Sequence, residues 1–115
     1  MKFFRKNQVI FGKIFWVDLG SFEGCRIGKV RPCLIIRRDR NTVTVIPITK
    51  DNGRIFENEF SIGKIANLKY SSKLKISHIQ TVDVSKLNEE IGELPESLKS
   101  AIRRLGALVL FGTSI

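Results

Sequence analysis

The chain is poor in histidine, in cysteine and in acids, and each shortage removes a class of chemistry. One histidine, His78, in 115 residues leaves no pair of imidazoles to share acid and base duties. The two cysteines, Cys25 and Cys33, lack the paired Cys/His spacing of a zinc site, and Cys33 stands in an apolar run that suits a small core residue. No metal or cofactor is therefore expected. No apolar run approaches the roughly 20 residues that a membrane span needs, and the opening Met1-Lys2-Phe3-Phe4-Arg5-Lys6 lacks the apolar stretch of a secretory leader. The expected location is the cytoplasm, with no membrane partner. There is no internal repeat, linker or low-complexity segment, so residues 1–115 read as one domain with a single modest core.

The shortage of acids is the most informative. Twenty Lys and Arg against eleven Asp and Glu give a formal charge of +9 and a pI near 10.0. Solubility alone does not require such an imbalance in so short a chain. It favours a polyanion partner, nucleic acid first.

What is present centres on residues 28–50. Two β-branched apolar runs, 32–36 and 42–48, flank a polar link in which Asp39 and Asn41 tolerate left-handed backbone, the pattern of a β-hairpin. Arg31 precedes the first strand and Thr49 follows the second, so antiparallel pairing brings a guanidinium and a hydroxyl to one sheet edge. In a basic protein such a pair suits a phosphate.

Around this hairpin the pattern is mostly β. Residues 8–19 are strand-like, with Gly12 marking a bend or bulge, and Trp16 reads as core because strand-core residues flank it. The following loop, 20–30, carries three glycines and the cations Arg26 and Lys29, and it lacks the Walker pattern of a nucleotide-binding loop. Asp51-Asn52-Gly53-Arg54 is a turn, the later half of residues 55–62 alternates as a half-buried strand, and Leu74, Ile76, Ile79 and Val82 suggest one more. Residues 84–88 read as a helical turn or loop. Pro95 opens a C-terminal helix with Leu94, Leu98, Ile102, Leu105 and Val109 on one stripe, which bends or stops near Gly106. The fold class is mainly β with a C-terminal helix (α+β), a strongly bent small sheet or barrel.

Gly12-Lys13-Ile14-Phe15-Trp16-Val17-Asp18-Leu19, Gly28 with Arg31-Pro32 three residues on, Pro47-Ile48-Thr49, Thr81-Val82-Asp83 and Ile91-Gly92-Glu93-Leu94 occur in the order seen in MazF/PemK-like toxins, which the chain resembles over roughly residues 9–105. The resemblance implies an SH3-like barrel with the helix attached, a homodimer, and a sequence-selective endoribonuclease that cleaves single-stranded RNA and is neutralised by a cognate antitoxin. In families that look like this one, the arginine before proline and the threonine of Pro-x-Thr belong to the active site, here Arg31 and Thr49. Some relatives give a base role to the aspartate of Arg-Thr-x-Asp. Asp83 matches it, with Gln80 in the arginine position.

Metal-free RNA cleavage needs the 2′-hydroxyl deprotonated, the phosphorane stabilised and the 5′ oxygen protonated. Arg31 is the candidate for gripping the phosphate, since a guanidinium with a pKa above about 12 is a charge stabiliser before it is a proton shuttle. Thr49 would donate to a phosphoryl oxygen, or else merely cap a strand end. Asp83 is a base or a turn cap, and His78 a catalytic group or a plain hydrogen-bonded histidine. Arg26, Lys29, Arg37, Arg38, Arg40 and Lys50, with Gln80, are the expected RNA contacts. A second reading is a non-catalytic toxin, such as a CcdB-like gyrase poison, or a plain nucleic-acid-binding barrel; neither needs the Arg31, Thr49 and Asp83 set.

Overall fold

A computed structural model describes residues 8–20, 30–56, 58–65 and 67–111. Its elements are β1 (Lys13–Asp18), β2 (Val30–Asp39), β3 (Thr42–Lys50), β4 (Glu59–Gly63), β5 (Ser72–Lys75), β6 (Gln80–Asp83), β7 (Leu87–Glu93) and α1 (Glu96–Phe111). Short 3-10 turns at Ile76–His78 and Val84–Lys86 separate β5, β6 and β7.

The β2–β3 hairpin is the axis of the sheet. Its register runs from Asp39 opposite Thr42 to Cys33 opposite Pro47. On its other side β2 takes β1, with Val17 facing Arg31 and Trp16 facing Pro32. The free edge of β3 is shared: β6 pairs with residues Thr42 to Val45 and β5 with residues Ile48 to Lys50. The strand order is β4-β5-β3-β2-β1-β7 with β6 beside β3, so the sheet is bent but not closed, and barrel is too strong a word for it.

Period-two alternation gives the sheet two apolar faces. Ile14, Leu34, Ile46, Ile48 and Leu74 join Leu94 and Ile102 under the helix, while Phe15, Val17, Cys33, Ile35, Val43 and Val45 form a second cluster with Val9 and Leu87. Ile14, Phe15, Leu34, Ile35 and Ile48 are fully buried, each stabilising the fold by about 1.5–3 kcal/mol, which explains why this hairpin rather than any loop fixes the architecture. Burial also pushes the Cys33 thiol up to about 12, so it stays a protonated core residue.

The helix docks through Gly12. Its φ of +99° is unfavourable for a side chain, and a Cβ there would run into Lys99 of α1. Lys99 Nζ in turn reaches Glu93 at 2.6 Å, and Arg103 lies 4.7 Å from the Phe11 ring centroid. The helix does not stop at Gly106, because α1 continues to Phe111. Three further expectations are corrected. Arg40, not Asp39 or Asn41, takes the left-handed backbone at the hairpin turn, with φ of 58°. The strand expected across residues 74–82 is interrupted by a 3-10 turn, which places His78 on the exposed surface rather than in a strand. Finally, Leu87–Glu93 is a full strand paired to β1.

Candidate active site

The open end of the hairpin forms a cleft of about 410 Å³ lined by Trp16, Arg31, Pro32, Ile48, Thr49, Lys50, Leu68, Lys69, Tyr70 and Ser72. Its walls come from β1, β2, β3, β5 and the segment before β5, and strand register accounts for the meeting of the first three. Cys33 pairs with Pro47, so two residues further out Arg31 comes opposite Thr49, and β1 carries Trp16 to the same edge beside Pro32. Pro32 has no backbone N–H to give the ladder, and it stands where the paired part of the hairpin ends.

Three cations meet in this cleft, from Arg31, Lys50 and Lys69. Among the described residues no carboxylate forms an ion pair with any of them. Lys50 Nζ instead lies 4.3 Å from the Tyr70 ring centroid and Lys69 Nζ 6.0 Å from it, so the ammonium groups stand over an aromatic face that is itself 51% exposed. Trp16 is 37% exposed. Its flanks, Phe15 and Val17, point to the other face; Trp16 shares its face with the buried Ile14 but lies beside Pro32 at the open end of the hairpin, and the expectation that Trp16 is core gives way to a place in the cleft wall. The result is a positively charged slot with two aromatic rings, a guanidinium fork and a hydroxyl.

The other candidates lie elsewhere. Gln80 faces Val45 across β3, four residues along the strand from Thr49 or about 13 Å, and donates a 3.3 Å hydrogen bond to the His78 carbonyl. His78 shares a separate depression with Phe56, Asn58, Glu59 and Lys75. Asp83 pairs with Thr42 at the closed end of the hairpin, about 23 Å along β3 from Thr49. There its carboxylate accepts the Ser85 N–H at 2.9 Å, a hydrogen bond that holds the carboxyl below the usual range and caps the following turn. Within one chain neither Asp83 nor His78 reaches the phosphate slot.

Arg37, Arg38 and Arg40 are likewise displaced. Expected in or beside the groove, they sit about 20 Å or more from Arg31 along β2 and its turn, where they border a different depression with Val9, Ile10, Phe11, Ile36 and Asp39. Of the expected cationic contacts only Lys50 lines the Arg31 cleft. Arg26 and Lys29, with Cys25, lie outside the described residues. The sequence reading missed Lys69 and Tyr70. Their signal was the only tyrosine of the chain preceded by a lysine, in a stretch with no regular periodicity.

A bent, mostly antiparallel sheet with a cationic, aromatic-lined slot at the open end of its central hairpin defines a small α+β protein built to face a phosphodiester strand. The profile of the PemK-like, MazF-like toxins of type II toxin–antitoxin systems matches residues 11–110, and the chain belongs to that family. It is 27% identical over 100 residues to the endoribonuclease MazF6 of Mycobacterium tuberculosis, covering 80% of this chain and 88% of that protein. The solved structure of the Mycobacterium tuberculosis toxin MazF-mt6 superposes with a TM-score of 0.72 at 25% identity, over 90% of this chain and 99% of that one. A mycobacterial endoribonuclease solved in complex with its cognate antitoxin shares the fold at a TM-score of 0.72 and 18% identity, over 92% and 98% of the two chains.

Proposed function

We propose that this chain is the toxin of a toxin–antitoxin pair, a sequence-selective endoribonuclease that cleaves single-stranded RNA without a metal ion and is neutralised by a cognate antitoxin. Residues 1–115 act as one toxin domain, working as a homodimer in the cytoplasm. The observation that carries this reading is the convergence of Arg31 and Thr49 on one cleft whose three cations have no acidic partner among the described residues.

In this reading the scissile phosphate lies between Arg31 and Thr49. The 2′-hydroxyl gives its proton to solvent water as its oxygen attacks the adjacent phosphorus, the bond to the 5′ oxygen breaks and that oxygen takes a proton from solvent, leaving a 2′,3′-cyclic phosphate and a 5′-hydroxyl. Arg31 grips two non-bridging oxygens, and its fixed charge is worth most as the phosphorane forms. Thr49 donates one further hydrogen bond. Trp16 and Tyr70 offer faces on which unstacked bases rest, and Lys50 and Lys69 neutralise flanking phosphates.

The test is cleavage of a defined single-stranded RNA in EDTA, with both ends of the product identified. Cyclic or 3′-phosphate ends with full activity in chelator support the proposal. A strict magnesium requirement or 3′-hydroxyl ends would refute it, and gyrase-dependent DNA breakage without RNA cleavage would select the CcdB-like reading instead.

A further inference from the structure

Among the described residues Lys73 and Glu59 are the most completely buried members of an ion pair, each 5% exposed, with Nζ and Oε1 2.8 Å apart. Burying two charges is unfavourable unless geometry and further hydrogen bonds compensate, and a well-packed apolar pair is often at least as stable. The partners of this pair show what an apolar pair would lack. Lys73 Nζ donates to Glu59 Oε1, to the Arg54 carbonyl at 2.8 Å and to Asn52 Oδ1 at 3.3 Å, which occupies all three of its protons. Glu59 Oε1 also accepts the Phe56 N–H at 3.1 Å, and the Phe56 ring centroid lies 5.6 Å from the ammonium. Asn52 Oδ1 accepts the Arg54 N–H as well. Residues 52, 54 and 56 are thus tied to one charged centre.

That centre adjoins the candidate site. Lys73 is the cross-strand partner of Thr49, and Ser72, the partner of Lys50, lines the cleft with Thr49 and Lys50. The segment it holds leaves directly from Lys50, and its first residue donates its N–H to the Ser71 carbonyl at 2.9 Å. Arg54, Ile55 and Phe56 are all exposed, so the pair secures backbone atoms while the side chains remain outside.

We propose that the Glu59–Lys73 pair is a positioning unit: it fixes residues 51–56 where the chain leaves Lys50, the last β3 residue of the Arg31–Thr49 cleft, so that an RNA strand running out of the cleft past Lys50 meets an ordered segment. The proposal rests on the nuclease reading. An ordered segment lowers the entropy lost when RNA binds and leaves the bond-breaking groups untouched. The effect of the pair is therefore on KM and not on kcat.

The experiment compares the parent, Glu59→Gln and the double variant Glu59→Leu/Lys73→Met by thermal melting, brief trypsin digestion and steady-state cleavage of one defined RNA. The double variant leaves no unpaired charge behind and is expected to melt within a few degrees of the parent. It should be nicked after Arg54 many times faster, with KM raised about tenfold and kcat within about twofold. Glu59→Gln, which keeps an acceptor for both the ammonium and the Phe56 N–H, should fall between the two. A folded double variant with parental KM and parental resistance at Arg54 overturns the proposal, as does a fall in kcat with KM unchanged. If the double variant does not fold, Glu59→Gln decides by the same two readouts below its melting temperature. A parent that fails to cleave RNA refutes the nuclease reading, and the site-directed role with it; the digestion then shows separately whether the pair holds the segment.

Discussion

The two ends of the β2–β3 hairpin carry comparable charge in different settings. At the closed end Arg37, Arg38 and Arg40 are near neighbours in sequence, but Asp39 and Asp83 stand among them and Arg38 Nε donates to the Arg40 carbonyl at 3.0 Å. At the open end Arg31, Lys50 and Lys69 come from well-separated positions and meet without a carboxylate to form an ion pair. The closed-end arginines thus follow one another along β2 and its turn with Asp39 between them, whereas the open-end cations are brought together by strand pairing beside two aromatic rings and the Thr49 hydroxyl. The second arrangement is the one that can hold a phosphate and shape the path of a strand.

Replacing Arg31 tests this contrast with the largest expected effect. Arg31→Ala should lower single-turnover RNA cleavage at least a hundredfold, about 3 kcal/mol of transition-state stabilisation, while leaving the melt unchanged because Arg31 is only half-buried. Arg31→Lys should recover only part of the rate, since an ammonium keeps the charge and loses the fork. Thr49→Ala removes one hydrogen bond to an anionic oxygen and should cost about ten- to a hundredfold in rate, or roughly 1.5–3 kcal/mol. Parental cleavage by Arg31→Ala, with His78→Ala inactive, would move the site to the depression around His78.

The closed end should respond more weakly. Replacing Arg37, Arg38 and Arg40 together by glutamine should change cleavage of a short RNA by less than about twofold, because a strand gripped at Arg31 must run roughly 20 Å to reach them. The salt dependence of binding separates the two ends further. Lys50→Gln should reduce the slope of log affinity against log salt by about 0.7, the value for one single-strand phosphate, whereas the triple change should leave the slope for a short RNA as it was. Equal loss of slope in the two cases would show one continuous track.

Much of this contrast was legible in the sequence, and the errors have definite causes. The hairpin was readable from its β-branched runs, and the meeting of Arg31 with Thr49 follows from antiparallel pairing alone. The C-terminal helix was readable from its apolar stripe, of which Leu94 and Ile102 are buried. Trp16 was misread because apolar neighbours suggest a core, and its face does bury Ile14; its exposure comes from its place beside Pro32 at the open end of the hairpin, which strand pairing decides and local pattern does not. Arg37, Arg38 and Arg40 were placed in or beside the groove with Arg31, but a strand carries them away from it at about 3.3 Å per residue, and they border a different depression. Lys69 and Tyr70 reach the cleft only through the pairing of β5 with β3, a long-range contact with no local pattern. The Glu59–Lys73 pair was invisible for the same reason. The two residues lie fourteen positions apart and meet only because β4 pairs with β5.

The smallest expected effect concerns Asp83, whose two sequence readings the structure separates. If Asp83 is a cap, its value lies in the oxygen that accepts the Ser85 N–H, and Asp83→Asn keeps that oxygen while removing the charge. Asp83→Asn should then cleave and melt almost as the parent does, and Asp83→Ala should melt a few degrees lower with cleavage unchanged. The titration points the same way. A carboxyl held below its unfolded value near 3.9 contributes stability that is fully present above that value and is lost as pH falls through the lower folded pKa. Between pH 5 and 8 it stays ionised, so it adds no inflection to a pH–rate profile in that window. Loss of cleavage in Asp83→Asn with an unchanged melt would contradict the cap reading. Since β3 keeps Asp83 about 23 Å from Thr49 of its own chain, such a result would mean that the carboxylate serves the cleft of a second copy, joining the closed end of one hairpin to the open end of another.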